Sequence, residues 1–230
     1  MDSTFWIAFW AAMFVATHLA ISSSAVRPRL VAALGEQPYR GIYSLVAFAT
    51  FGPLLYEFGY HKHAGPLLWY FRADAPIRWL AWLLMLAAFI LFVASFINPN
   101  PAGIGAPGTA SAPHRVLKIT RHPGFVAFAL FGFAHMLMNG WAGDVIFFAM
   151  FPVIGIVGGI HQDQRKIRDL GASYRDFAAQ TSFMPFAALV GGRQRWTSAD
   201  TPWAAIVIGA AVTVAVVVLH PFMFGGHPLG

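Results

Sequence analysis

Six stretches of mainly apolar residues, roughly 4–24, 41–60, 78–97, 123–140, 144–160 and 203–224, decide most of what this chain can become. A helix rises about 1.5 Å per residue, so about 20 such residues cross the ~30 Å hydrocarbon core of a bilayer. In that solvent each backbone N–H and C=O has to be satisfied inside its own segment, which makes the helix the form these runs take. The composition agrees, with 58% of the 230 residues hydrophobic, only 10% charged and a mean hydropathy of +0.62. The expected fold is all-α: a polytopic integral membrane helical bundle of about six transmembrane helices, forming one transmembrane domain over residues 1–230. The fourth and fifth segments are the shortest. Only Asn139 to Gly143 separate them, so they are expected to pair as a hairpin.

Of the 15 lysines and arginines, twelve fall on one side of this pattern: Arg27, Arg29, Arg40, Arg115, Lys118, Arg121, Arg165, Lys166, Arg168, Arg175, Arg193 and Arg195. Lys62, Arg72 and Arg78 fall on the other. The positive-inside rule then places the N-terminus outside and the basic loops in the cytoplasm, with a bacterial inner membrane as the expected location. A pI near 10.1 is accounted for by this topology and by attraction to anionic lipid headgroups, so membrane lipid is the expected partner and nucleic acid is not. The first segment ends at "SSSAVRPRL" and lacks a basic region ahead of it, so it is read as a retained helix rather than a cleaved signal. With no cysteine there is no disulfide, thiolate ligand or thiol nucleophile. The Pro- and Gly-rich stretch 98–113 reads as a flexible cytoplasmic loop.

Chemistry is then sought among ionisable groups inside apolar segments, where they are costly and face a bundle interior or cavity. Histidine dominates. His18 lies on the first helix and His135 on the fourth; His122 lies where the fourth begins and His161 where the fifth ends. Thirteen residues separate His122 from His135, about 140° around a helix and about 20 Å along it, so these two cannot share one small site. His135 shares its face with Phe131, Gly132, Met138 and Asn139, and His18 shares its own with Phe14, Val15, Ile21 and Ser22. A lone imidazole on an aromatic-rich face suits a flat apolar cofactor, and two imidazoles from two helices can hold haem iron in a bundle. Zinc fits less well, because no close-spaced ligand pair such as HExxH or HxxxH is present. The alternative is that each histidine only bonds a carbonyl or a hydroxyl across the bundle.

Other motifs have plainer readings. In "RHP", Arg121 reaches to the interface and Pro123 takes the first helical position. The charged segment 161–180 spaces Ile167, Leu170, Tyr174 and Phe177 helically and reads as an interfacial amphipathic helix interrupted at Gly171.

Taken together, "THLAISSSAVRPRLVAALGEQPYRGIYSLVA", "ITRHPGFVAFALFGFAHMLMNG" and "HQDQRKIRDLGASYRDFAAQTSFMPFAALVGGRQ" resemble the NnrU family, especially its branch of plant and cyanobacterial 15-cis-zeta-carotene isomerases. The resemblance covers roughly residues 5 to 196 and leaves 203–224 as an additional C-terminal helix. It implies a membrane protein carrying haem b, whose ferrous iron turns a central cis double bond of a polyene to trans with no net redox change. By motif the family's proposed axial histidines fall on His18 and His135, with His122, Arg121, His161 and Asn139 as further cofactor-binding candidates. Denitrification-linked members of the same family imply instead a haem protein with an accessory or redox role. A more distant similarity, carried by "RHP" with Asp163, Gly171, Tyr174 and Phe177, is to the isoprenylcysteine carboxyl methyltransferases. It implies binding of S-adenosylmethionine near Arg121, His122 and Asp163, although "HQDQRKIRDLG" departs from those enzymes' paired glutamates. The expected ligands are thus haem b and an apolar polyene; the oligomeric state stays open.

Within the expected segment limits, His18 lies about 6 Å to one side of its helix centre and His135 about 5 Å to the other side of its own. A mismatch of about 10 Å in depth is too large for two ligands of one iron unless tilt or side-chain direction removes it.

Overall fold

The computed structural model describes residues 2–72, 74–97, 100–103 and 112–226. Ten α-helices are found among them: α1 (Ser3–Ser22), α2 (Arg27–Leu34), α3 (Glu36–Tyr60), α4 (Ala75–Ile97), α5 (Val116–Ile119), α6 (Pro123–Met138), α7 (Ala142–Leu170), α8 (Ala172–Gln180), α9 (Ala187–Val190) and α10 (Trp203–Phe224). An isolated bridge between Leu67 and Trp141 is the β pairing among the described residues. Helices α1, α3, α4, α7 and α10 are long and apolar enough to cross a membrane, and α6 is apolar but only 16 residues long. Large apolar side chains stand exposed along these helices, with Phe48 75%, Val214 63% and Phe222 85% accessible. Such continuous apolar surface is stable against lipid and not against water, so the chain is an integral membrane protein.

The long helices pack in the spatial order α3, α1, α7, α6, α4, α10, which puts α7 in the middle. In its most apolar stretch 44% of the residues are buried, against 6–17% in the other four long helices. Neighbouring contacts give the directions. Ile7 lies beside Gly143 and Ser24 beside Gln164, so α1 and α7 run parallel. Gly132 faces Phe148 and Pro152 while Gly155 faces Phe125 and Ala129, so α6 and α7 run antiparallel. The α6–α7 hairpin is close because these glycines have no Cβ: one added at Gly155 would stand 2.5 Å from the Phe125 carbonyl oxygen.

Three differences from the sequence reading have physical reasons. Helix α7 does not stop near residue 160 but runs without a break to Leu170, so His161 lies well inside it and segment 161–180 is not one separate interfacial helix. The end of an apolar run marks a change of solvent, whereas helix hydrogen bonding continues until something interrupts it. Gly171, with φ +61°, is that interruption, and α8 starts after it. Residues 100–103 of the supposed flexible loop are packed: Asn100 and Ala102 are buried, Asn100 donates to the Arg121 carbonyl, and Gln162 donates to the carbonyls of Ala102 and Gly103. Residues 98–99 and 104–111 of that loop lie outside the described residues.

Candidate functional site

Two groups of polar side chains are set into this bundle. The first borders an aromatic cluster built on α1, α3, α6 and α7, where Phe147 and Phe148 join Phe14, Phe51, Phe58, Phe131 and Phe151. His18 lies over Phe14, one turn back, with ring centroids 5.1 Å apart, and Phe14 in turn meets Phe51 at 4.8 Å. His135 lies over Phe131 at 4.2 Å and stacks on Phe148 at 4.5 Å. Helical side chains lean toward the N-terminus of their own helix. Because α1 and α6 run in opposite directions, the two imidazoles lean toward each other in depth.

The register of α7 gives the level toward which they lean. Counting from the Ile7–Gly143 contact, Phe14 falls near Met150 of α7, and Phe131 packs against Phe148 and Phe151. Each imidazole ring lies beside the phenylalanine one turn back, so both rings lean toward this level from opposite sides. The depth mismatch of the Cα atoms is thus reduced by side-chain direction. The lateral separation is not: α1 and α6 flank α7, the rings of His18 and His135 have separate partners, and no ring contact joins them.

The nitrogens differ in their occupation. The Nδ1 of His135 donates to the Phe131 carbonyl at 2.9 Å, which leaves a bare Nε2 in the tautomer that metal-binding histidines adopt. The Nε2 of His18 is bonded to the Tyr43 hydroxyl at 2.7 Å, and its buried Nδ1 has no partner. Buried polar atoms are nearly always hydrogen-bonded, so an orphan marks a place where another group belongs. The donor chemistry of both residues thus fits an iron-bound flat apolar cofactor. Asn139, proposed beside them, donates its amide to the His135 carbonyl at 2.9 Å and so caps α6. His161 lies on α7 with its own Nδ1 buried and unpartnered.

The second group converges on one carboxylate at the basic end of the bundle. Asp163 on α7 accepts from Arg121 Nε at 3.0 Å and Nη2 at 2.5 Å, from His122 Nε2 at 2.8 Å and from Tyr174 Oη at 2.5 Å. Arg121 is fixed further by Ser182, whose carbonyl takes its backbone N–H, and His122 is fully buried with Nδ1 unpartnered. Burial pushes the Tyr174 phenol well above its ordinary range, and its bond to Asp163 adds to the effect. The residues that a methyl donor would need here are bound to one another. The arrangement ties the start of α6 to α7 and α8.

Two long-range contacts had no signal in the sequence. Tyr43 reaches His18 from a different helix, and His63 Nδ1 holds the buried Asp144 at 2.6 Å across 81 positions. The near-surface ion pair of Lys118 with Asp200, at 2.8 Å, joins α5 to the turn ahead of α10. The Lys118 bond, reinforced by Thr197, holds the Asp200 carboxyl well below the usual carboxylate range.

The NnrU protein family matches residues 6–228, which takes in α10 as well as the motifs on α1, α6 and α7. The chain is 26% identical over 168 residues to a chloroplastic 15-cis-zeta-carotene isomerase of Zea mays, covering 70% of this chain and 44% of that protein. It is 24% identical over 204 residues to the protein of the same name from Arabidopsis thaliana, covering 84% of this chain and 53% of that one. The chain thus spans about half the length of the curated relatives it matches. No solved structure matches it.

Proposed function

The chain belongs to the NnrU protein family, and from that premise we propose that it is an integral membrane cis/trans isomerase of a polyene of the zeta-carotene type. The observation that carries the reading is that both relatives bear this activity in their names and align over 70% and 84% of the chain. Such a substrate is wholly apolar, and its conjugated chain loses little by leaving the bilayer for an apolar, aromatic-rich protein surface.

Haem b is proposed as the cofactor, with His18 and His135 as the residues that would hold it. Bound ferrous haem would supply, on release of one of the two histidines, a coordination position that lowers the order of a double bond and lets it rotate without net oxidation. The chain's own contribution is positional. The Phe131 carbonyl holds the His135 tautomer, the Phe14 and Phe148 rings fix the planes of the two imidazoles, and the cluster excludes water.

The test has two parts. Detergent-purified protein is examined by oxidised and dithionite-reduced absorption spectra with a pyridine haemochrome assay, and then given 15-cis-zeta-carotene in liposomes, with products separated chromatographically. A b-type spectrum with loss of the cis band supports the whole reading. Haem without isomerisation moves the chain to the redox or accessory class, and isomerisation without haem removes the cofactor.

A further inference from the structure

Helix α7 carries two polar side chains near its basic end that the candidate site leaves unused, His161 and Arg165. Eighteen positions, about five turns, separate His161 from Gly143, so His161 keeps the face on which Gly143 meets Ile7 of α1. Arg165 follows one turn later and shares that face. The end of α1 lies against the same turn of α7: the Ser24 hydroxyl donates to Gln164 Oε1 at 3.2 Å, and Arg168 Nη1 donates to the Ser24 carbonyl at 3.3 Å. Both residues thus border the groove where α1 and α7 meet, on the basic side of His18.

Neither has the partner its chemistry calls for. The Nδ1 of His161 is buried without a hydrogen bond. Arg165 is half-buried, and its bond is to a neutral group: Nη2 donates to Gln162 Oε1, one turn back, which draws the guanidinium along the bundle rather than out to water. Among the described residues no carboxylate pairs with it. Its electrostatic neighbours are Arg27, Asp169, Tyr39 and Glu36. Glu36 already accepts from Arg27 at 2.8 and 2.9 Å and from Arg40 at 3.0 Å, and Asp169 is an exposed side chain 3.6 Å from Arg168. Asp163, two positions before Arg165, is bonded to Arg121, His122 and Tyr174. A guanidinium partly withdrawn from water without a counter-charge is unfavourable, and Arg27 adds a second positive charge beside it. An anion is the group that would satisfy both vacancies at once.

We propose that Arg165 and His161 form a binding site for an anionic oxygen group, a carboxylate or a phosphate, at the basic end of the groove between α1 and α7. One oxygen takes an N–H of Arg165 and another gives His161 Nδ1 its partner. A neutral imidazole carries its proton on either nitrogen, so the anion itself selects Nδ1–H on binding. Two sources present this chemistry here. About 20 residues of α7 counted from Ala142 cross the hydrocarbon core, which puts His161 and Arg165 at the level of lipid headgroups, so one source is the phosphate of an anionic phospholipid. The other is a carboxylate of haem b, and this source alone rests on the haem reading.

The test uses delipidated, haem-free full-length protein in detergent. It is titrated with phosphatidylglycerol or phosphatidylcholine and followed by native mass spectrometry, then titrated spectroscopically with haem b or with its dimethyl ester, which has no free carboxylate. If a lipid phosphate is the anion, the wild type retains phosphatidylglycerol over phosphatidylcholine, Arg165→Gln weakens that retention by about fivefold, and Arg165→Lys restores part of it. Arg175→Gln, which removes an exposed charge from the same end, leaves it unchanged. If a haem carboxylate is the anion, Arg165→Gln weakens haem b by a similar factor and leaves the ester unaffected. His161→Phe lowers whichever preference the wild type shows. The proposal is overturned if the wild type prefers neither phosphatidylglycerol over phosphatidylcholine nor haem b over its ester, or if Arg175→Gln abolishes the preference as fully as Arg165→Gln. Should Arg165→Gln not fold, the wild-type preferences and His161→Phe decide alone. Protein that takes up neither form of haem defeats the haem reading, while the lipid titration still decides the site.

Discussion

The hydroxyl of Tyr174 on α8 meets the carboxylate of Asp163 on α7 at 2.5 Å, and the same carboxylate neutralises Arg121 and receives His122 from the start of α6. One acidic side chain thus satisfies three donors at the basic end of a bundle in which apolar packing is shared with lipid. Removing it leaves a guanidinium with 16% of its surface exposed and a fully buried imidazole, both without their partner.

Asp163→Asn should therefore lower thermal stability in detergent by on the order of 3 kcal/mol, because breaking a buried pair leaves its other half uncompensated. Tyr174→Phe removes one donor to a carboxylate that keeps its others and should cost about 1–2 kcal/mol. Thermal unfolding followed by circular dichroism gives the order, and equal losses would show that Asp163 is not the hub.

Gly155→Ala should destabilise by about 1–3 kcal/mol, since its Cβ would meet the Phe125 backbone oxygen and push α6 off α7. Gly41→Ala on α3 meets nothing within 4 Å and should be neutral or stabilising by a few tenths of a kcal/mol. The pair controls for helix propensity. A Gly155→Ala protein as stable as the wild type would mean the hairpin is looser than its glycines indicate.

The carboxyl of Asp200 gives a pH prediction. A group held below its ordinary value contributes stability above that value and loses it as the pH falls through the depressed one. The advantage of the wild type over Asp200→Asn should thus be constant from neutral pH down to about 4, the ordinary carboxylate value, and vanish only in stronger acid. An advantage already lost near pH 6 would rule out the Lys118 bond as its source.

His18→Ala and His135→Ala should each reduce the haem recovered with the protein by tenfold or more, whereas His122→Ala should cost stability with little effect on the spectrum. Pyridine haemochrome titration of the three variants decides this. A full haem load in both of the first two would separate His18 and His135 from the iron.

Much of the fold was legible because it is written locally. Each of the six apolar runs coincides with a helix, Pro123 opens α6, and the short link at residues 139–141 produces the hairpin. The charged tail of α7 was not legible as part of a spanning helix, since hydropathy reports the solvent a residue prefers and is silent on where helical hydrogen bonding ends. The packed segment 100–103 was missed for a related reason. Its Pro and Gly content marks a turn, and nothing in it says that Gln162 will bind its carbonyls.

The sequence by itself determined that this chain crosses a membrane as helices and that its basic residues gather at one end of them. These are one-dimensional properties: about 20 apolar residues fold the same way in lipid whatever follows them, because their backbone bonds are made within the segment. Only the tertiary structure decided which nitrogen each histidine has to spare. Tyr43 meets His18 across 25 positions, Asp163 meets Arg121 across 42, and Asp144 meets His63 across 81. Such contacts depend on which helices lie next to α7 and on the opposed directions of α1 and α6. That opposition also makes the imidazoles of His18 and His135 lean toward each other in depth, each side chain inclining toward its own helix start.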